Sequence, residues 1–254
     1  MLIGTGTAVN AATVLTGSSL GVLIGHRLPE RTRTVVTDGL GLVTLLIAGT
    51  SAIAVQDPAL RAAVGGSAPM LIVLGSLLIG AISGSLLRLE DRLEGLGDVL
   101  QRRLGGSGDP AEDGAHAARE RFVQGFVTAS LVFCVGPLTI LGSLNEGLGN
   151  GPDQLLLKAA LDGFASIAFA ASFGWGVAAS VVTLVVVQGG LTVLGAAVGD
   201  FLPDAHLAAL TATGGLLLVG VGLRLLNIKQ VKVGDLLPAL LVAPLLTEVV
   251  TWFR

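Results

Sequence analysis

The chain has 254 residues, 52% of them hydrophobic and only 13% charged, and a formal net charge of −3. A mean hydropathy of +0.82 excludes an ordinary soluble domain, because several apolar stretches reach the ~20 residues that a membrane-crossing helix needs. Basic residues scattered over loops, not gathered on one face, exclude nucleic acid as a partner, and the single cysteine, Cys134, excludes an internal disulfide.

The N-terminal Met1-Leu2-Ile3-Gly4-Thr5-Gly6 has no positive n-region and leads into an apolar run long enough to stay as a helix, so no cleaved signal is expected. Spanning segments are expected at about 5–26, 39–56, 68–87, 122–143, 158–177, 178–199, 207–226 and 234–253. This pattern describes an all-α polytopic membrane protein with about eight crossings. Segment 158–177 holds Asp162 and is joined to the next by little more than Phe173-Gly174-Trp175-Gly176. A re-entrant hairpin there, giving seven crossings, is the alternative. Charge placement favours eight. With the N-terminus outside, Arg27, Arg31, Arg33, the arginines from Arg88 to Arg121, Arg224, Lys229 and Lys232 fall on the cytoplasmic side, leaving Arg61, Lys158 and Arg254 outside.

All of 1–254 reads as one membrane domain, with 88–121 its only soluble-looking stretch. Leu86, Leu89, Leu93, Leu96 and Leu100 recur near helical spacing among charged residues. They describe an amphipathic helix continuing out of the membrane on the cytoplasmic side. Gly105-Gly106-Ser107-Gly108-Asp109-Pro110 and the acidic-alanine stretch to Glu120 read as a flexible loop.

Two patterns recur. Gly21-x-x-x-Gly25-His26-Arg27-Leu28-Pro29 returns as Gly195-x-x-x-Gly199-Asp200-Phe201-Leu202-Pro203, basic in the first copy and acidic in the second. Arginines mark the cytoplasmic side, so the two loops are expected on opposite sides. Gln124-Gly125-Phe126-Val127-Thr128 aligns with Asp162-Gly163-Phe164-Ala165-Ser166, which sets Gly136 on Gly174. Together with Asp38-Gly39, these polar-glycine pairs are expected to open helices. Segments two to four and five to seven then form two three-helix units, inverted because three is odd. Chance likeness among 37 glycines is the alternative. Small-residue faces at 17–25 and 80–84 suit internal packing and a homodimer equally.

The run Phe122-Val-Gln-Gly-Phe-Val-Thr-Ala-Ser-Leu-Val-Phe-Cys134-Val-Gly136-Pro137, the later Leu161-Asp162-Gly163-Phe164-Ala165-Ser166, and Gly25-x-x-Leu28-Pro29-Glu30-Arg31 with Asp38-Gly39 carry a resemblance. The chain resembles, over nearly its whole length, the bacterial membrane family catalogued as domain of unknown function 554, the YdfK/YqgA type. The resemblance implies an integral protein of the bacterial cytoplasmic membrane. It implies no activity and no catalytic residue, because the family's own name leaves the substrate open.

Chemistry is expected where helices break. Gly136-Pro137 lies past the middle of the fourth segment, where proline removes a backbone donor and clashes with the preceding turn. Its repeat mate is Gly174-Trp175-Gly176. Freed backbone groups at membrane depth are tolerated only when buried in protein or lining a cavity, and paired breaks point to a transport site, with a plain packing kink as the alternative. Of the ionisable residues in these segments, Asp38 and Asp162 are candidates, with capping of a helix start as the competing role. Glu248 is expected at the water interface. Asn10, Thr13, Thr44, Ser130, Ser172 and Gln188 widen the set of polar candidates, but bonding to backbone or to a neighbouring helix is the expected role for most of them. Gln124, Thr128 and Ser166 are preferred because they fall nearest the breaks.

His26, His116 and His206 are isolated, and neither a zinc, a hydrolase nor a phosphate-loop motif is present. No enzyme activity, cofactor or metal site is therefore expected. The expected function is a secondary transporter or facilitator of a small solute or ion, with Asp162, Gln124, Thr128, Ser166, Gly136, Pro137, Gly174 and Asp38 as binding candidates. A non-transporting scaffold or sensor, with 88–121 contacting a protein partner, is the alternative.

Overall fold

A computed structural model describes residues 3–25, 27, 29–104, 113–135, 137–198 and 203–253. The helices are α1 (Thr5–Gly25), α2 (Glu30–Ala52), α3 (Pro58–Val64), α4 (Ala68–Leu87), α5 (Leu89–Leu104), α6 (Asp113–Cys134), α7 (Pro137–Gly147), α8 (Asp153–Phe173), α9 (Gly176–Ala179), α10 (Val181–Val198), α11 (Asp204–Leu225) and α12 (Ala239–Trp252). Among the described residues there is no strand. Seven segments are each long and apolar enough to cross a membrane, and there are eight if α6 and α7, bent by 71°, form one broken span. Leu46, Ile82 and Val186 are 67%, 63% and 67% exposed, so large apolar side chains face outward. That suits lipid as the solvent, not water.

The break falls in the fourth segment, where the sequence places proline, and not in the fifth. α6 ends at Cys134 and Pro137 opens α7 at the first helical position, where its missing N–H is not needed. The Thr139 hydroxyl donates to the Phe133 carbonyl (2.9 Å) and so satisfies a group freed by the break. α8, the segment expected to be doubtful, is an uninterrupted helix of 21 residues capped by Gly174 at φ 75°.

Several expected boundaries are wrong, for one reason. Asp38 is the ninth residue of α2, Gln124 the twelfth of α6 and Asp162 the tenth of α8, so none opens a helix. Hydropathy marks only the apolar part of a helix. The more polar turns before it form helix as well, begun by Glu30 in α2 and Asp153 in α8, acidic residues that suit the positive helix end. The stretch before Glu120 likewise belongs to α6, whose first residue is Asp113. The expected loop at 105–112 lies outside the described residues, as do His26, Leu28, Gly136 and 199–202 of the repeat motifs. α5 does not continue α4: Arg88 adopts a left-handed conformation (φ 49°) between them.

The helices fall into two compact units. The first comprises Met1–Leu40, Asp91–Cys134 and Leu138–Ala197, and the second Gly41–Glu90, Val135–Pro137 and Val198–Arg254. In the first, α1 and α8 meet backbone to backbone. A Cβ added at Gly17, Gly21 or Gly25 would stand 2.4, 2.2 and 2.6 Å from the carbonyl oxygens of Gly163, Ile167 and Ala171. No side chain fits, which is why glycine recurs every fourth residue. The contacts advance together along both helices, so α1 and α8 are parallel.

In the second unit Gly80 of α4 meets Ala239 and Gly84 meets Asp235, so contacts advance in opposite directions toward α12. Gly222 and Gly215 of α11 meet Gly41 and Ala52 of α2 in the same reversed order. These directions bear on the number of crossings. Parallel α1 and α8 require an odd number of membrane crossings between them, and antiparallel α4 and α12 an even number. With α2, α4, α8, α10 and α11 each crossing once, both conditions hold only when α6 and α7 together cross once. The packing directions thus match the eight-segment count.

Candidate functional site

The first unit contains a polar network built on helical spacing. Lys158 and Asp162, four residues apart on α8, share one face and form a buried ion pair through Nζ and Oδ2. Asn10 of α1 donates from Nδ2 to Asp162 Oδ2 (2.9 Å) and to Gln188 Oε1 of α10 (3.1 Å). Both amide orientations follow from these bonds, since turning either amide would set like groups against each other. The Thr13 hydroxyl donates to the carbonyls of Asn10 and Ala159 (both 2.9 Å), tying α1 to α8. The Lys158 ammonium also lies 6.0 Å from the centre of the Phe133 ring.

A second carboxylate belongs to α7. Glu146 is 3% exposed, and its Oε1 accepts from the Gly6 amide (2.6 Å) at the start of α1. On α1, α7 and α10 the hydrogen-bonding capacity is only partly used. Thr7 Oγ1, Asn10 Oδ1, Ser143 Oγ, Glu146 Oε2, Gln188 Nε2 and Thr192 Oγ1 are all buried without a protein partner. Folded proteins pair nearly every such atom, so six on three helices of one unit mark a place that favours a polar guest.

The sequence candidates divide on this geometry. Asp162 sits at the centre of the network, and Asn10, Thr13 and Gln188 from the wider lining set join it. Ser166 donates instead to the Gly163 carbonyl (2.8 Å) and packs where α1 and α8 touch at Gly17. Thr128 is buried on α6 with an unpartnered hydroxyl, and Gln124 is half-buried, but no described hydrogen bond joins either to Asp162. Gly174 and Pro137 shape the backbone at helix ends, and Gly136 lies outside the described residues. Asp38 is half-buried within α2, away from a helix start.

Lys158 and Glu146 are the residues that the sequence reading missed. Lys158 is buried in α8, not placed in an outer loop. The Lys158-x-x-x-Asp162 spacing was its signal. Glu146 follows from carrying the helix after Pro137 through to Gly147.

A separate cavity of about 720 Å³ lies beside the end of α8, lined mainly by apolar side chains such as Leu15, Val22, Phe122, Phe173 and Trp175, with Arg121 and Gln101. It shares no residue with the polar network. Among the described residues no group of three or more His, Cys, Asp or Glu side chains is placed to hold a metal.

The second unit has a buried network of another kind. Glu90 Oε1 accepts from Arg224 Nη1 (2.5 Å) and Glu90 Oε2 from the Gly234 amide (2.6 Å), while Asp235 Oδ1 accepts from the Glu90 amide (3.0 Å). In the same unit, His206 Nε2 and Glu248 Oε2 lie 2.9 Å apart, with the Glu248 side chain largely exposed.

Comparison with known proteins places these features in a family. A family model described as "Protein of unknown function (DUF554)" matches residues 5–248. Over 249 residues, 98% of each chain, the sequence is 32% identical to the uncharacterized protein YqgA of Escherichia coli (strain K12). It is 27% identical over 248 residues to the uncharacterized membrane protein YdfK of Bacillus subtilis (strain 168), covering 98% of this chain and 97% of the relative. No solved structure matches.

Proposed function

We propose that this chain, which belongs to the DUF554 family of proteins of unknown function, is a secondary transporter or facilitator of a small solute or ion in the bacterial cytoplasmic membrane. One observation carries the reading. Asp162, the tenth of the 21 residues of the apolar helix α8, is paired with Lys158 and bonded to Asn10, and six buried polar atoms on α1, α7 and α10 have no protein partner. Charge at membrane depth is costly and normally marks a substrate, ion or proton path. An incompletely bonded cluster beside it has capacity to receive a polar solute. In this reading Asp162, Lys158, Asn10 and Gln188 contact or gate that solute, and the break before α7 lets its helix adjust.

The arginine distribution and the eight-segment directions support an N-terminus outside and two inverted three-helix units. The chain carries out no covalent chemistry in this account. A scaffold or sensor is the second reading, favoured by the amphipathic α5 with its basic end at Arg102 and Arg103. The glycine faces that would serve a homodimer are, however, engaged within the chain by α8 and α12.

The test is flux. Purified protein in liposomes should pass at least one member of a panel of inorganic ions, amino acids and small carboxylates, and Asp162→Asn should lower that flux at least about tenfold. Absence of flux across the panel, with one specific protein captured in pull-downs, would assign the chain to the scaffold reading.

A further inference from the structure

We infer that α1, α7 and α10 hold a monovalent cation, bound by Glu146 Oε2 with the side-chain oxygens of Thr7, Asn10, Ser143 and Thr192. This gives the transport reading its coupling or transported ion and rests on that reading for its role, though not for its existence.

Three contacts bring the faces of these helices together. The Gly6 amide of α1 donates to Glu146 of α7. A Cβ on Gly147 of α7 would stand 2.2 Å from the Thr192 carbonyl of α10. Asn10 of α1 donates to Gln188 of α10. Every proposed ligand lies within about one helical turn of one of these contacts. Thr7 follows Gly6, Ser143 is one turn before Glu146 and Gly147, and Thr192 is one turn beyond Gln188. Each of the five side chains is at least nine-tenths buried and has an oxygen without a protein partner.

Charge and donor type identify the guest. Lys158 and Asp162 carry one charge of each sign and cancel. Among the described residues no cationic side chain forms an ion pair with Glu146, whose bonded oxygen meets a neutral amide. A single unbalanced carboxylate in an apolar surround is expensive. One monovalent cation brings the cluster to neutrality, whereas a divalent ion would leave a buried positive charge. Carboxylate, hydroxyl and amide oxygens are the hard donors that such an ion takes. The sixth unpartnered atom, Gln188 Nε2, is a donor and is left for water or for an acceptor on the solute.

The site is testable without flux. Purified full-length protein in detergent is melted in sodium, potassium or lithium chloride and in choline chloride at equal ionic strength. A saturable rise in Tm, on the order of 5 °C, is expected with at least one alkali cation and not with choline, and the responding ion is the one bound. Glu146→Gln keeps an acceptor for the Gly6 amide but loses the charge, and should abolish the rise. Thr192→Val should raise the half-saturating concentration about tenfold, as loss of one ligand would.

Identical melting in all four salts would overturn the site, as would a full rise retained by Glu146→Gln. Should that variant not fold, unchanged half-saturation in both Thr192→Val and Ser143→Ala would overturn it equally. Flux without a cation-dependent rise removes the site and leaves transport standing. A rise without flux supports the site and removes the transport reading.

Discussion

Glu90 in the second unit and Glu146 in the first are both about 3% exposed, yet they differ in what they bond. Glu90 spends both oxygens, on Arg224 and on the Gly234 amide, and Asp235 holds its own amide in return. It fastens the start of α5 to the end of α11 and to the turn before α12. Glu146 has one oxygen bonded and the other unpartnered, and five more unpartnered polar atoms lie on its own and neighbouring helices. A carboxylate with both oxygens engaged has done its work once the chain is folded. A half-engaged one lowers stability and persists only where something else uses it.

Stability should therefore respond differently in the two places. Glu90→Ala removes the carboxylate that accepts from Arg224 Nη1 and from the Gly234 amide and should cost about 3–5 kcal/mol, read as a lower midpoint in denaturant or heat. Ser143→Ala and Thr192→Val remove hydroxyls that bond no protein acceptor. Each should change stability by less than about 1 kcal/mol, in either direction, while impairing cation binding or flux. A large loss of stability from either would show that these hydroxyls are bonded in the membrane, and the contrast between the units would fail.

The smallest effect belongs to a third, half-buried pair. Asp98 of α5 accepts from Arg119, with Nε at 2.8 Å, and this hydrogen bond is the main cause holding its carboxyl below the usual carboxylate range, against the opposing effect of burial. A lowered carboxylate pKa stabilises the fold above the unfolded value of about 3.9, and the contribution is lost as pH falls through the folded value. Solvent screening keeps it small. Asp98→Asn should thus give a slight Tm deficit at neutral pH that vanishes when parent and variant are compared well below pH 4.

Much of this fold was legible because its signals are local. Eight apolar runs, the break at Pro137 and the glycine faces at 21/25 and 80/84 each depend on a few neighbouring residues. Which helix a glycine face meets is a tertiary matter. Spacing alone could not match Gly21 with Ile167, or Gly84 with Asp235. The site was half legible for the same reason. Asp162 stood out as an acid within an apolar run, whereas Asn10 and Gln188 belong only to a wider set of polar candidates and are not preferred by sequence. Lys158 fell at an expected boundary, and Glu146 three residues beyond another. Hydropathy assigns both edges to water, but α8 starts earlier and α7 runs further than their apolar cores. The expected grouping of Gln124, Thr128 and Ser166 followed from repeat alignment, and Ser166 turned out to serve the contact of α1 with α8.

On this reading the first unit's charged pair serves function while the second unit's serves stability. The double variant Lys158→Met/Asp162→Asn tests it most directly, since it removes both buried charges and keeps an acceptor for Asn10. Melting and liposome flux are measured on the same preparation, beside Glu90→Ala. A Tm at or above that of the parent is expected, with flux lost. A Tm lowered as far as in Glu90→Ala, with flux unchanged, would contradict it and make Lys158 and Asp162 a fastening like Glu90 and Arg224.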